Sequence, residues 1–169
     1  MHCLYLLRHG TAVSHGTADV RDEDRPLTPA GERKVSLVAH GLKRLGIKPR
    51  RIVTSPLPRA HRTAQITADA LGLTDRLELA EVLQPGSPPS RIRDWLSAQD
   101  AEDLMLVGHN PNLTGLLSLL AGLPLDSPAF ELKKGAVATL RIDDQGRHQL
   151  HWLATSKMIR ALMKEDRSD

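Results

Sequence analysis

Two arginines and two histidines sit where a chain of this kind would place chemistry. The segments Arg8-His9-Gly10, Ser55-Pro56-Leu57-Pro58-Arg59 and Gly108-His109-Asn110 each follow a short apolar or β-branched run. The runs are residues 3–7, 51–54 and 104–107, and stretches of this length and character read as buried strands. In an open α/β sheet, ligands bind outside the carboxyl ends of the strands. If the three strands are parallel neighbours, both arginines and both histidines converge on one cleft. Arg59 also falls near the start of a predicted helix, where the backbone favours anions. A guanidinium offers planar donors that match phosphate oxygens. The set therefore suits the binding of a phosphoryl group.

The elements that must position these side chains follow from spacing and punctuation. Thr28-Pro29 predicts a helix start, with Thr28 as cap and Pro29 in the first turn. Val35, Val38, Leu42 and Leu45 then recur at helical spacing until Gly46. A second helix is predicted over 58–71, closed by Gly72, and a short edge strand over 77–79. Residues 84–89 are rich in Pro, Gly and Ser, and a short helix is expected over 90–96. Pro111 opens a further helix that runs to Gly122. Residues 136–142 and 148–153 flank Asp143-Asp144-Gln145-Gly146, a hairpin signal. The end is weakly helical over 156–163, and the last residues are expected to fray. Residues 14–25 read as a long surface loop. Strands alternating with helices predict an α/β fold: a three-layer sandwich with a mostly parallel central sheet and helices on both faces. A length of 169 residues predicts one domain, 1–169.

Arg8-His9-Gly10-Thr11 after an N-terminal strand resembles the signature of the histidine phosphatase superfamily, which includes the phosphoglycerate mutases. Ser55-Pro56-x-x-Arg59-Ala60-x-x-Thr63-Ala64 is similar to its second motif and Gly108-His109-Asn110-Pro111 to its third. Arg25-Pro26-Leu27-Thr28-x-x-Gly31 and Glu81-x-Leu83-x-Pro85-x-Ser87 look most like the SixA-type branch, the phosphohistidine phosphatases. The resemblance runs from Cys3 to about Leu153. It implies a phosphoglycerate mutase-like fold and a metal-independent phosphatase with no cofactor. It implies that His9 is the nucleophile and forms a phosphohistidine intermediate, while Arg8, Arg59 and His109 bind the phosphoryl oxygens. His109 would serve as a cation or as a hydrogen-bond donor. The superfamily's general acid is a carboxylate; Glu81 is the candidate, with Asp22 and Asp24 as rivals. The implied substrate is phosphohistidine in a protein, such as a histidine phosphotransfer domain. The alternatives are a small phosphorylated metabolite or polyphosphate and, in another class, a phospho-ligand scaffold with little turnover.

The remaining residues carry blander expectations. A net charge of +3 and aromatics at 2% argue against a nucleic-acid partner. No apolar stretch approaches a membrane span or a secretory leader, so a cytoplasmic protein is expected. Cys3 is the only cysteine, which forbids an intrachain disulfide, and it is expected to be buried and inert. His148 and His151, three apart on a strand, should face opposite ways and hold no metal. His15, His40 and His61 read as surface residues. Arg25 reads as an unpaired surface arginine, and Lys48, Arg50 and Arg51 as a solvated turn. Trp95 and Trp152 are expected to anchor the core.

Overall fold

Side chains alternate across a strand, and in the first strand both alternating sets are apolar. β1 (His2–Arg8) sends Leu4 and Leu6 to one cluster of buried residues and Tyr5 and Leu7 to another. A strand buried on both faces must lie at the centre of a three-layer structure. The computed structural model describes residues 2–16, 20–100 and 103–163. It places β1 fourth in a six-stranded sheet ordered β3-β2-β4-β1-β5-β6. β2 (Arg51–Thr54), β3 (Leu77–Leu79) and β4 (Leu104–Gly108) run parallel with β1. β5 (Val137–Ile142) and β6 (His148–Ala154) form an antiparallel hairpin on the far edge.

Helices cover both faces. α1 (Pro29–Arg44), α2 (Pro58–Leu71) and α5 (Ser156–Ala161) bury Val38, Leu42, Ala60, Ala64, Ala68 and Ile159 against Tyr5, Leu7 and Met105. α3 (Pro89–Ser97) and α4 (Asn112–Leu120) bury Ile92, Leu113, Leu116 and Leu117 against Leu4, Leu6 and Leu106. Trp95 packs against this second cluster and Trp152 against the first. The expected fold class therefore holds: a mostly parallel sheet between two helical layers.

Local signals act as their chemistry dictates. Thr28 Oγ1 accepts the Gly31 N–H at 2.9 Å, capping α1. Gly72 ends α2 with φ +72°, a left-handed conformation that costs glycine little.

Two expectations need correction. Cys3 is only partly buried, because it lies near the outer end of β1. Arg51 is not a solvated turn residue: it pairs with Glu78 at 3.0 Å and donates to Gln99. The described residues of the expected 14–25 surface loop are exposed or half-buried. Ala12 bridges Leu27, Val13 N–H donates to the Pro26 carbonyl, and Asp22–Asp24 form a short 3-10 turn. The expectation of fraying falls on residues 164–169, outside the described residues. Among the described residues no helix is long and apolar enough to cross a membrane.

Candidate active site

The order β2-β4-β1 makes the three motif-bearing strands consecutive. Parallel strands lie about 4.8 Å apart, so their carboxyl ends span roughly 10 Å. Backbone hydrogen bonds continue past the strand ends. His9 N–H donates to the Gly108 carbonyl at 3.0 Å and Ser55 N–H to the Val107 carbonyl at 3.0 Å. The structure thus brings Arg8, His9, Arg59 and His109 together, and the two imidazole rings lie 5.1 Å apart at 55°.

His9 is buried, with 6% of its surface exposed. Its Nδ1 lies 2.7 Å from the Gly10 carbonyl oxygen. A carbonyl can only accept, so Nδ1 carries the proton and Nε2 keeps its lone pair. The His9 pKa is pushed down to about 4: burial is the main cause, the Gly10 carbonyl opposes it, and Arg59, Arg8 and Lys134 add to the lowering. The ring is neutral at pH 7.

His109 is held by Ser55, whose Oγ lies 2.9 Å from Nε2. That oxygen already accepts from the Leu57 N–H, so its own proton is free to reach Nε2. The ring proton then lies on Nδ1, which is buried and has no partner among the described residues. Burial, then His9 and Arg59, push the His109 pKa down to about 3. Of the two expected roles, cation or hydrogen-bond donor, desolvation beside two arginines favours the neutral N–H donor.

Both arginines are tied at one end and open at the other. Arg8 Nη1 donates to the Leu132 carbonyl at 2.8 Å, and Arg59 Nη1 donates to the Asp22 carbonyl at 2.7 Å. The Nε of each is buried with no hydrogen-bond partner among the described residues. Burial lowers both guanidinium pKa values, opposed by Glu131 near Arg8 and by Asp22 near Arg59. Neither shift discharges an arginine at pH 7.

Several contributors escape sequence reasoning. Thr63, one helical turn beyond Arg59, accepts the Gly10 N–H at 3.0 Å and donates to the Arg59 carbonyl at 2.7 Å. It locks the first motif to the second, and only its place in the second motif hinted at it. Gly135 N–H donates to the Arg8 and His9 carbonyls. Gly10 itself is required by packing: a Cβ there would lie 2.4 Å from Val35 Cγ2.

The candidate acids differ in their partners. Glu81 is exposed in a 3-10 turn, accepts a hydrogen bond from Gln84, and makes none with the four clustered side chains. Asp24 pairs with Arg21 on the surface. Asp22 is the carboxylate brought to the cluster, with Oδ2 3.4 Å from Arg59 Nη2. Arg25, expected to be unpaired, instead clamps Asp22 at 2.8 Å and donates to the Val13 carbonyl. The Arg25 hydrogen bond is the main cause holding the Asp22 carboxyl below its usual range. Among the described residues no three His, Cys, Asp or Glu side chains are grouped to hold a metal.

Residues 4–84 match the histidine phosphatase superfamily, branch 1. The chain belongs to that superfamily. An uncharacterized protein of a Picosynechococcus species is 41% identical over 142 residues, covering 82% of this chain and 84% of the relative. A probable phosphoglycerate mutase GpmB from Cronobacter sakazakii is 28% identical, covering 92% of this chain and 90% of the mutase. Among solved structures, the protein histidine phosphatase SixA complexed with tungstate superposes with a TM-score of 0.80 at 23% identity. That match covers 92% of this chain and 97% of SixA. It shows that this superfamily member has the SixA fold. His109 lies beyond the residues matched to the superfamily, so its membership in the site rests on the geometry above.

Proposed function

We propose that the protein is a metal-independent phosphatase that forms a phosphohistidine on His9 and acts on phosphohistidine in a protein. The carrying observation is the set of three buried donors without partners, Arg8 Nε, Arg59 Nε and His109 Nδ1, gathered around a neutral imidazole. Buried polar groups are normally paired. A tetrahedral phosphoryl group would accept from all three while Nε2 approaches phosphorus in line. The P–N bond to His9 forms as the bond to the leaving group breaks, and the leaving group takes the electron pair. Water then attacks phosphorus and returns Nε2 to its free state. The arginines and His109 stabilise charge on the equatorial oxygens. The SixA fold and that protein's complex with tungstate, a tetrahedral oxyanion, support this reading.

The substrate class follows from the leaving group. An alkoxide must be protonated as it departs, whereas imidazole, with a pKa near 6.5, departs readily. The carboxylate paired with Arg59, Asp22, is held ionised by arginines, and the Glu81 carboxylate is engaged by Gln84. This arrangement supports phosphohistidine over an alcohol ester. The likeness to a probable phosphoglycerate mutase favours the second reading, a small phosphomonoester. A panel of phosphohistidine protein, phosphosugars, phosphoglycerates, nucleotides and polyphosphate decides between them. We expect kcat/KM to be highest for phosphohistidine protein by an order of magnitude or more. A preference for a small ester would overturn the substrate assignment. Tight binding of phosphohistidine protein without turnover would instead favour a scaffold.

A further inference from the structure

We propose that Asp22 makes this site selective by charge. Its carboxylate, seated on Arg59 at the mouth, favours a phosphoryl donor whose leaving group is a protonated imidazole and disfavours one that carries a further negative charge. The inference rests on the phosphohistidine reading and adds a specificity determinant to it.

Three observations carry it. First, both carboxylate oxygens face guanidinium groups: Oδ1 meets Arg25 Nε at 2.9 Å and Nη2 at 2.8 Å, and Oδ2 meets Arg59 Nη2 at 3.4 Å. A carboxylate so clamped stays charged and cannot serve as an acid. Second, the Asp22 side chain is 47% exposed while that of Arg59 is 4% exposed. Asp22 therefore lies on the solvent side of the phosphate-binding arginine. Third, Arg59 Nη1 donates to the Asp22 backbone carbonyl at 2.7 Å, which fixes the residue against the guanidinium.

In-line displacement supplies the direction. His9 is buried, so attack by Nε2 expels the leaving group toward solvent, where Asp22 stands. A phosphohistidine ring protonated on its second nitrogen is a cation there. When the P–N bond breaks, the electron pair goes to the ring nitrogen and the ring leaves as neutral imidazole, with no proton transfer in that step. An adjacent carboxylate stabilises the protonated ring. The same carboxylate repels a substrate whose leaving group bears a carboxylate or a second phosphate. Glu131 adds the same sign near Arg8, and Lys134 the opposite sign near His9.

The test compares wild type with Asp22→Asn, which keeps an oxygen for the arginines but loses the charge. Asp22→Ser is a second neutral variant, and Asp22→Glu retains the charge. Substrates are phosphohistidine protein and the pair glycerol 3-phosphate and 3-phosphoglycerate, which differ in a carboxylate. Each is read as kcat/KM, or as an inhibition constant where turnover is slow. We expect the neutral variants to lose phosphohistidine turnover, and their preference for glycerol 3-phosphate over 3-phosphoglycerate to fall about tenfold, equivalent to ~1.4 kcal/mol. Asp22→Glu should keep the wild-type preference, and raised salt should weaken it. Equal changes for the two esters would overturn charge selection and leave the phosphohistidine reading standing. A wild-type enzyme that hydrolyses the esters but no phosphohistidine protein would overturn that reading, and the imidazole half of this inference with it.

Discussion

At the residue scale, each side chain of the cluster has one hydrogen-bonding end fixed by the protein and one end open. Gly10 fixes His9, Ser55 fixes His109, Leu132 fixes Arg8 and Asp22 fixes Arg59. The four clustered residues were legible in the sequence because the segment carrying each follows a short apolar or β-branched run. Their anchors were not, because most are backbone carbonyls, and a carbonyl carries no sequence signal. Asp22 was legible only as one acid among three, since its partner Arg59 lies 37 residues away. Glu81 provides a discriminating prediction. Because an imidazole leaving group needs no acid, Glu81→Gln is expected to leave kcat/KM on phosphohistidine protein within about threefold. A loss there of tenfold or more would mean that an acid is needed after all.

At the element scale, the site depends on how closely β1 approaches the helices. The segment after β1 runs so close to α1 that Gly10 and Gly31 have no room for a side chain. A Cβ on Gly31 would lie 2.1 Å from the Thr11 carbonyl oxygen. Gly10→Ala would push against Val35 of α1 and is expected to cost about 1–3 kcal/mol, the usual range for overpacking. Urea denaturation should show a lower midpoint with an unchanged slope. An unchanged midpoint would mean that the contact with Val35 relaxes freely. Helix limits were readable where a single residue sets them, as Thr28 and Gly72 do. The 3-10 turn at Asp22–Asp24 was not, because its contacts with Arg59 and the bridge between Ala12 and Leu27 are tertiary. Local propensity cannot report such contacts.

At the scale of the whole molecule, the protein keeps two imidazoles neutral in its interior, and this couples stability to pH. The unfolded chain binds protons on His9 and His109 near pH 6.5, whereas the folded chain resists until about 4 and about 3. The unfolded state therefore holds more protons across that window. Stability is complete above pH 6.5 and falls as the pH drops toward 4. Chemical denaturation between pH 8 and 4 should show this fall, and a His9→Gln, His109→Gln double variant should flatten it. An equally steep fall in the variant would place the effect elsewhere. The parallel sheet was legible from three apolar runs, but the strand order that places β4 between β1 and β2 was not. Spacing along a chain does not say which strands are neighbours. That order turns three separate motifs into one site, and the claim built on it is a covalent intermediate on His9. The most direct test traps that intermediate. Wild type and His9→Ala are mixed with radiolabelled phosphohistidine protein, quenched in alkali and mapped. The account predicts alkali-stable, acid-labile phosphate on His9 of the wild type and none on the variant, with both proteins folded. Turnover by the wild type without label on His9, or label retained by His9→Ala, would contradict it.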